Sequence, residues 1–325
     1  MDLITIWQAD FRDTLKRVAD AGGCDLIFTS PPYCDARTAG AYGTEREWTE
    51  ADYRDLGDAV KAALRPGGWA IVNVDAPVRE WRKGYGTERG FHAWRMMLDW
   101  AERVGLRVPD RLAFGRMGAR GAYTGRFRND WEPLLWFQKV GGRDVRGYFD
   151  KGALDAPSPH GSRAGDRASV MGADGKLKAR GASGDAVERG ITRRGTVWAY
   201  GATGSGQSGS RVLEQTGHPA RFPLRLAWDV VACFAAPGAL VCDPFLGSGT
   251  TAVACAQLGR AFVGGDAGRA PDGRPWADVA RECVGRDGQS RPIAVSGCEP
   301  EVEADEPIAC DAAPTCCAEG DAQVA

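Results

Sequence analysis

Residues 243–251 read DPFLGSGTT, and this stretch decides the fold. It follows an apolar run at residues 239–242, which predicts a buried strand, and it precedes a helix-compatible run at residues 252–258. A strand, a glycine turn and a helix together place backbone N–H groups at a helix N-terminus, where they face a ligand. The stretch therefore predicts a ligand site at the end of a strand.

The residues around this turn suit a nucleoside-containing ligand. Gly247 and Gly249 let the backbone approach the ligand closely, and either of the two threonines that follow can cap the helix. A second strand, at residues 260–264, leads to Asp266. A carboxylate at the end of that strand is where a ribose diol is commonly held. The glycines and the acid together predict a nucleoside-containing cofactor.

A second motif, TSPPY at residues 29–33, also follows a short apolar run that predicts a strand. The hydroxyl of Ser30 and the carbonyl of Pro31 can accept the two N–H bonds of a planar amino group while the ring of Tyr33 stacks on its base. Pro32 fixes its own φ and restricts the residue before it, so the Pro31 carbonyl is aimed by a stiff backbone. Alone, such a turn is an ordinary end of a strand; the glycine motif downstream favours the functional interpretation.

Together the two motifs resemble those of the amino-methyltransferases of DNA, which use S-adenosylmethionine to methylate N4 of cytosine or N6 of adenine. In that family TSPPY resembles the catalytic motif and DPFLGSGTT the cofactor motif, and the catalytic motif comes first, as in the β group. The segment NDWEPLLWF at residues 129–137 resembles the late strand of the sheet. The resemblance covers most of residues 1–288.

The resemblance assigns roles to individual residues. Asp10 resembles the acid that contacts the adenine amino group of the cofactor, and His218 lies in GHPARFP, the segment around the methionine end. Asp266 stands where glutamate is commoner in the family. The expected catalytic residues are Ser30, Pro31, Pro32 and Tyr33; the expected cofactor-binding residues are Asp10, His218, Asp243, Phe245, Gly247, Ser248, Gly249, Thr250 and Asp266. No metal is expected.

The alternation of patterns predicts an α/β fold with a doubly wound, mostly parallel Rossmann-like sheet and an inserted target-recognition region. Strands are expected at residues 3–7, 25–28, 69–74, 134–139, 239–242 and 260–264, and helices at 11–19, 50–64, 91–104, 222–234, 252–258 and 276–284. Ligands bind such sheets at the carboxyl ends of the strands. Both motifs are therefore expected in one crevice.

The chemistry of an aromatic amine explains why these residues are needed. Its nitrogen lone pair is delocalised into the ring, so acceptors at Ser30 and Pro31 that favour a pyramidal nitrogen make it a better nucleophile for in-line transfer. Inside a duplex the amine is inaccessible, so the base must be flipped out and stacked on Tyr33. Cys34 is expected to be a bystander, because the Pro-Cys motif of the C5-methylating enzymes is absent.

The target base is less tightly specified than the reaction. Serine at position 30 and the HPARFP form of residues 218–223 favour N4 of cytosine, with N6 of adenine as the alternative. An RNA methyltransferase and a catalytically inactive DNA-binding relative are less favoured, since both motifs are intact. A nicotinamide-binding protein is disfavoured because the glycine motif lacks the GxGxxG spacing.

Charge separates the chain into a basic body and an acidic tail. The net charge of −2 over 325 residues conceals a tail, residues 289–325, with eight acids and one arginine, which leaves +5 on residues 1–288. Such a tail is expected to be disordered. Basic stretches at residues 103–128 and 141–195 suit phosphate contacts, and four residues at or just past the end of the second stretch are candidates for touching DNA: Arg193, Arg194, Trp198 and Tyr200.

These observations divide the chain into a catalytic domain (1–140 and 196–288), an inserted target-recognition region (141–195) and the tail. No apolar run is long enough to span a membrane, and the N-terminus lacks a signal peptide pattern, which predicts a cytoplasmic protein. Five cysteines in apolar contexts are expected to be packing residues. The expected partner is double-stranded DNA, with a cognate restriction enzyme as a second candidate; a monomer and a homodimer both stay open.

Overall fold

Eight strands form the central sheet of the protein in a computed structural model. The structure describes most of the body of the chain, namely residues 3–33, 48–75, 78–82, 86–116, 127, 129–142, 147–157, 169–171, 176–179, 191–192, 194–200, 213, 215–218 and 221–288. The expected tail, Cys34 and Arg193 lie outside the described residues.

The regular elements alternate along the chain as expected for an α/β fold. The strands are β1 Ile4–Gln8, β2 Cys24–Thr29, β3 Leu64–Asn73, β4 Val78–Arg82, β5 Gly86–Arg89, β6 Arg111–Arg116, β7 Trp131–Gln138, β8 Ala156–Pro157, β9 Ser169–Met171, β10 Leu177–Ala179, β11 Ile191–Thr192, β12 Val197–Tyr200, β13 Leu240–Asp243 and β14 Ala261–Asp266. The helices are α1 Phe11–Asp20, α2 Glu50–Ala63, α3 His92–Glu102, α4 Leu224–Phe234, α5 Thr250–Leu258 and α6 Trp276–Asp287.

The main sheet has the strand order β1-β14-β13-β2-β3-β7-β6-β12. Neighbouring strands are parallel from β1 through to β3, and β12 is parallel to β6. Strand β7 runs antiparallel to both of its neighbours, β3 and β6. The start of β7 therefore lies at the same edge of the sheet as the carboxyl ends of the parallel strands.

Two helical layers cover the sheet, which confirms the doubly wound arrangement. One apolar cluster joins the sheet to α4, α5 and α6, and a second joins the opposite face to α1, α2 and α3. In β2 this division appears residue by residue, because Leu26 and Phe28 belong to the first cluster and Ile27 to the second. Both faces of the strands are buried, as their continuous apolar runs indicate.

Most of the expected elements are observed within two residues of their predicted ends, but two strands begin earlier. Strand β7 begins at Trp131 rather than at residue 134. Strand β3 begins at Leu64, before the predicted turn, because Leu64 pairs with Cys24. The predicted turn is present as an irregularity inside β3. Gly67 has φ of +85°, and the pairing with β2 shifts register between Cys24 and Leu26.

Strands β6 and β12 were not expected, and they lie where the sequence predicted basic DNA-contacting stretches. Their patterns are short, and β6 begins and ends with arginine, so both are weak strand signals. In β12 the alternation is nevertheless real, because Trp198 and Tyr200 are buried and Val197 is exposed. The edge of the sheet thus contains residues that the sequence assigned to a binding surface.

The first part of the expected target-recognition region packs on the core of the sheet. The indole of Trp69 donates a hydrogen bond to the Tyr148 carbonyl (2.6 Å), and the ring of Phe149 stacks on Phe234. Leu154 is buried in the same cluster. The described parts that follow form short antiparallel pairs, β8 with β11 and β9 with β10. The domain boundary at residue 141 remains a prediction.

The packing of α2 on α3 leads to a test of the fold. A Cβ at Gly57 would lie 2.5 Å from Nε1 of the fully buried Trp100, so Gly57→Ala should destabilise the protein by about 1–3 kcal/mol through overpacking. The control is Gly285→Ala in α6, where nothing lies within 4 Å of an added Cβ, and which should stabilise by about 0.5–1 kcal/mol. Urea unfolding of both variants measures the difference; equal effects would contradict the packing described.

Candidate active site

The two sequence motifs meet at the carboxyl edge of the sheet, on neighbouring strands. Strand β13 leads into the glycine motif and pairs in parallel with β2, which leads into TSPPY, through Cys242 opposite Ile27. The hydroxyl of Thr29, the last residue of β2, donates a hydrogen bond to Oδ1 of Asp243 (2.7 Å). Both motifs therefore lie side by side at one edge of the sheet, and the crevice that they are expected to share stays a prediction.

Asp243 holds this junction together. Besides the bond from Thr29, it accepts hydrogen bonds from the hydroxyl of Thr251 (2.7 Å) and from the N–H of Phe245 (3.1 Å). Burial raises the pKa of Asp243 to about 6, and these three donors offset only part of that effect. The carboxylate is directed into the protein, so its predicted contact with the cofactor stays a prediction, while its bracing role is observed.

The glycines of the motif are required by neighbouring side chains as well as by a ligand. Gly247 has φ of +51°, and an added Cβ would lie 2.6 Å from Nε2 of His218. Gly249 has φ of +91°, and an added Cβ would lie 2.9 Å from the Cβ of Ala280 in α6. Both positions exclude other residues for reasons of conformation and of space.

The prediction that a threonine caps α5 is wrong. The N-cap is Gly249, without a side-chain hydrogen bond, and the Thr251 hydroxyl is used by Asp243 instead. Ser248 and Thr250 are buried (2% and 4% exposed). A ligand at this turn would therefore meet the start of the helix through backbone N–H groups, which is the arrangement suited to a negatively polarised group.

Asp266 and Asp10 lie at the ends of adjacent strands. Strand β1 pairs with β14 so that Gln8 is opposite Asp266, and Asp10 follows two residues later. Asp266 accepts hydrogen bonds from the N–H groups of Gly247 (2.9 Å) and Gly268 (2.7 Å), and burial raises its pKa despite these donors. Asp10 caps α1 by accepting from the Asp13 N–H (2.9 Å). Each carboxylate is held in place by backbone groups.

Aromatic rings form one wall beside the glycine turn. Phe245 packs against Phe11 (5.4 Å between ring centroids) and against Trp48 (5.2 Å). Trp48 is 9% exposed and also contacts Tyr53. Sequence reasoning missed Trp48, because a lone tryptophan far from either motif carries no positional signal.

The TSPPY turn is anchored on both sides of its prolines. The Tyr53 hydroxyl donates to the Pro32 carbonyl (2.8 Å), and among the described residues none donates to the Pro31 carbonyl. The Tyr33 hydroxyl donates to Oε2 of Glu132 (3.1 Å). The Pro31 carbonyl is thus left without a donor from the described residues, and Ser30 is partly exposed; their role as acceptors for an amine stays a prediction.

Glu132 and Asn73 are site residues that sequence reasoning did not single out. Glu132 is only 7% exposed at the start of β7, and Asn73, 3% exposed, ends β3 and donates to Glu132 Oε2 (3.1 Å). A usable signal existed in the segment NDWEPLLWF: a single acid inside an otherwise apolar strand is seldom buried without a partner.

His218 packs against the glycine turn as a neutral imidazole. Its ring stands edge-on to Trp276 (4.7 Å between centroids), close to Gly247. Burial, and to a smaller extent the charge of Arg221, lowers the pKa of His218 to about 4. The imidazole is therefore uncharged near neutral pH, which suits a position beside a cation.

Two residues expected to touch DNA, Trp198 and Tyr200, are buried in the core, and a third, Arg194, forms an internal ion pair. Arg194 forms an ion pair with the fully buried Asp229 (2.8 Å), to which the Tyr200 hydroxyl also donates (2.7 Å). Trp198 is 5% exposed, and its indole donates to the Gly195 carbonyl. A buried carboxylate needs such partners, which explains why these side chains point inward.

The first arginines of the basic stretch at residues 103–128 also make internal contacts. Arg103 binds Asp58 and Asp99, each at 2.8 Å, and Arg107 binds the side chain of Gln138 (2.7 Å). The basic composition of this stretch is thus a weaker indication of a nucleic-acid surface than it looked from the sequence.

The remaining sequence expectations concern the cysteines, metal ions and membrane-spanning helices. The five cysteines expected in apolar contexts are all free and buried, as predicted: Cys24, Cys233, Cys242, Cys255 and Cys283. Within the described ranges no group of His, Cys, Asp or Glu has the arrangement of a metal site. In the same part of the chain, no helix has the length and apolar character needed to cross a membrane.

Comparison with known sequences agrees with the motifs. Residues 24–270 match the family model described as DNA methylase, N6_N4_Mtase. The orphan methyltransferase M.BamHII of Bacillus amyloliquefaciens is 24% identical over 264 residues, covering 80% of this chain and 89% of that protein. The type II methyltransferase M.ScaI of Streptomyces caespitosus is 40% identical over 68 residues, 21% of this chain and only 22% of that enzyme.

Solved structures show the same fold. The PvuII DNA methyltransferase, described as cytosine-N4-specific, superposes with a TM-score of 0.54 at 16% identity, covering 86% of this chain and 88% of that one. The complex of M1.HpyAVI with SAM gives a TM-score of 0.52 at 19% identity, with 86% and 98% covered. At these identities the likeness establishes the architecture.

The position of His218 predicts a pH dependence of stability. Because its pKa in the folded protein is about 4, below the usual 6.5, the unfolded chain takes up the proton first as the pH falls. As the pH falls from about 7 to about 5, the free energy of unfolding of the wild type should therefore decrease by about 1–2 kcal/mol, and His218→Gln should not show this decrease. Urea unfolding at both pH values measures it.

The control for this test is Thr216→Ala, which perturbs the same segment without removing a titratable group. It should keep the pH slope of the wild type. Equal slopes in the wild type and His218→Gln would show that the imidazole is not buried in its neutral form.

Proposed function

Because this chain belongs to the DNA methylase family of N4 and N6 amino-methyltransferases, we propose that it methylates the exocyclic N4 of cytosine in duplex DNA. The observation that carries the proposal is the meeting of the TSPPY turn and the glycine turn on neighbouring strands, joined by Asp243. A methyl acceptor bound at one turn and a methyl donor bound at the other would lie side by side.

S-adenosylmethionine is the cofactor, and it supplies an electrophilic methyl group on a positively charged sulfur. The residues present fit it: the carboxylates of Asp10 and Asp266 end adjacent strands, the ring of Phe245 borders the turn, and Gly247 keeps the backbone open. The neutral imidazole of His218 adds no repelling charge. Carboxylates beside uncharged aromatic surfaces are suited to a nucleoside that carries a cation.

The acceptor side acts by positioning and by directed hydrogen bonding. The Ser30 hydroxyl and the Pro31 carbonyl accept the two N–H bonds of the target amine, and the ring of Tyr33 stacks on the base. These contacts turn the nitrogen lone pair towards the methyl donor and lower the barrier without a covalent intermediate. Because a paired base cannot enter such a turn, the nucleotide must leave the stack first.

The choice of cytosine rests on two sequence features, serine at position 30 and the HPARFP form of residues 218–223. Adenine N6 is the alternative target, since the geometry of two acceptors and a stacking ring suits either exocyclic amine. The partner is double-stranded DNA at a specific sequence; a companion restriction enzyme and the assembly state are not specified by the geometry.

Expression in a host without DNA methylation tests the proposed function. Sequencing methods that distinguish modified bases should find N4-methylcytosine at one recurring sequence in the host DNA, and none in cells that express Ser30→Ala. N6-methyladenine in its place would overturn the cytosine assignment alone. Unmodified DNA, with folded protein present, would overturn the proposed activity.

Two substitutions should separate the roles of the two turns. Ser30→Ala removes an acceptor for the amine and should slow methyl transfer roughly 100-fold or more while cofactor affinity changes less than about twofold. Asp266→Ala removes the ribose ligand and releases the N–H groups of Gly247 and Gly268, so cofactor affinity should fall roughly tenfold or more. Calorimetry measures the affinity for the cofactor, and single-turnover kinetics measure the rate of methyl transfer. A Ser30→Ala variant that loses both cofactor affinity and transfer rate would contradict the division of roles.

A further inference from the structure

A buried carboxylate lies directly behind the proposed catalytic tyrosine. Glu132 is the second residue of β7, and the antiparallel direction of that strand brings its start to the carboxyl edge of β2 and β3. With 7% of its surface exposed, Glu132 is too far from water to be satisfied by solvent. Its partners must therefore come from the protein.

Two donors converge on one oxygen of this carboxylate. The Tyr33 hydroxyl and the side-chain amide of Asn73 both lie 3.1 Å from Glu132 Oε2. A carboxylate accepts hydrogen bonds and does not donate them, so the phenol proton of Tyr33 points to Glu132. Asn73 also donates to the Pro133 carbonyl (3.4 Å), which fixes the orientation of its amide.

The direction of this bond determines the direction of the next one. The Ser30 hydroxyl forms a hydrogen bond with the Tyr33 hydroxyl. Since the proton of Tyr33 is already given to Glu132, Ser30 must donate in that bond. The lone pairs of Ser30 are then left for another donor. Burial, followed by the charge of Glu132, raises the pKa of Tyr33 well above 10, so the phenol keeps its proton.

We propose that Glu132 is a positioning residue that, through Tyr33, sets the Ser30 hydroxyl as a hydrogen-bond acceptor for the target amine. The proposal rests on the proposed amino-methyltransferase function and adds a residue to it. The chain of donors runs from Ser30 to Tyr33 to Glu132, and its charged end strengthens each bond before it. The same anchor fixes the plane of the Tyr33 ring.

Glu132→Gln tests this chain without changing the volume of the side chain. The carboxamide oxygen can still accept from Tyr33 and Asn73, but it lacks the charge that strengthens these bonds, so Tyr33 and, through it, Ser30 are held less firmly in the donor directions described. The rate of the methyl-transfer step should fall on the order of 10-fold to 100-fold. The cofactor Kd and the KM for DNA should change less than about threefold, because neither binding surface is altered.

Tyr33→Phe is the second variant of this test, because it keeps the stacking ring and removes the hydroxyl that links Glu132 to Ser30. If the two residues act through one chain, the double variant should be no slower than the slower single variant. If the fold-loss in rate of the double variant instead equals the product of the two single fold-losses, Glu132 acts independently of Tyr33, and the proposal is overturned.

The matched control is Gln138→Ala, at the other end of β7. Gln138 is also buried and donates to the Gly67 carbonyl (3.2 Å), so its loss should lower stability without lowering the rate of transfer. Thermal unfolding of all variants accompanies the kinetics. A Glu132→Gln protein that loses stability as Gln138→Ala does, but keeps the wild-type rate, would show a purely structural role.

The outcomes separate this inference from the proposed function. A wild type that modifies no DNA in the methylation-free host contradicts the proposed function itself. A wild type that methylates DNA, alongside a Glu132→Gln variant of equal rate, contradicts the inference and leaves the function standing.

Discussion

The site depends on the buried carboxylate of Asp243, which ties the end of one strand to the turn that follows the next. Two hydroxyls, of Thr29 and Thr251, and one backbone N–H point to it. Because the pKa of Asp243 is nevertheless raised to about 6, these donors do not fully offset the cost of burying its charge. The carboxylate therefore contributes position more than stability: it holds Ser30 and Gly247 at one edge of the sheet.

A second constraint comes from the reversal of β7. A parallel strand at this place would put its carboxyl end at the edge, and the acid near its start would lie at the far side of the sheet. Because β7 is antiparallel to β3, Glu132 instead lies beside Asn73 and reaches Tyr33. The reversed direction of β7 thus supplies the acceptor side with an acid from the start of a strand.

The sequence predicts the fold and both turns because each depends on local chemistry: buried strands, glycines at positive φ and a rigid Pro-Pro. It does not predict what depends on distant pairing. Glu132, Trp48 and the bracing use of Thr251 become meaningful only when separate strands and helices meet. The residues just before β12 were misread for the same reason, since Arg194 looks like a DNA contact until Asp229 is placed beside it.

The acids along the sheet edge stand in different surroundings on its two sides. On the cofactor side, Asp266 ends β14 and Asp10 follows the end of β1; burial raises the pKa of Asp266, so a positively charged ligand would relieve an existing cost. On the acceptor side, two buried acids are already partnered: Asp75 by Arg89, and Glu132 by Tyr33 and an amide. In the strand order, β14 and β13 lie on the cofactor side and β2, β3 and β7 on the acceptor side, so the two ligands would meet where β13 pairs with β2.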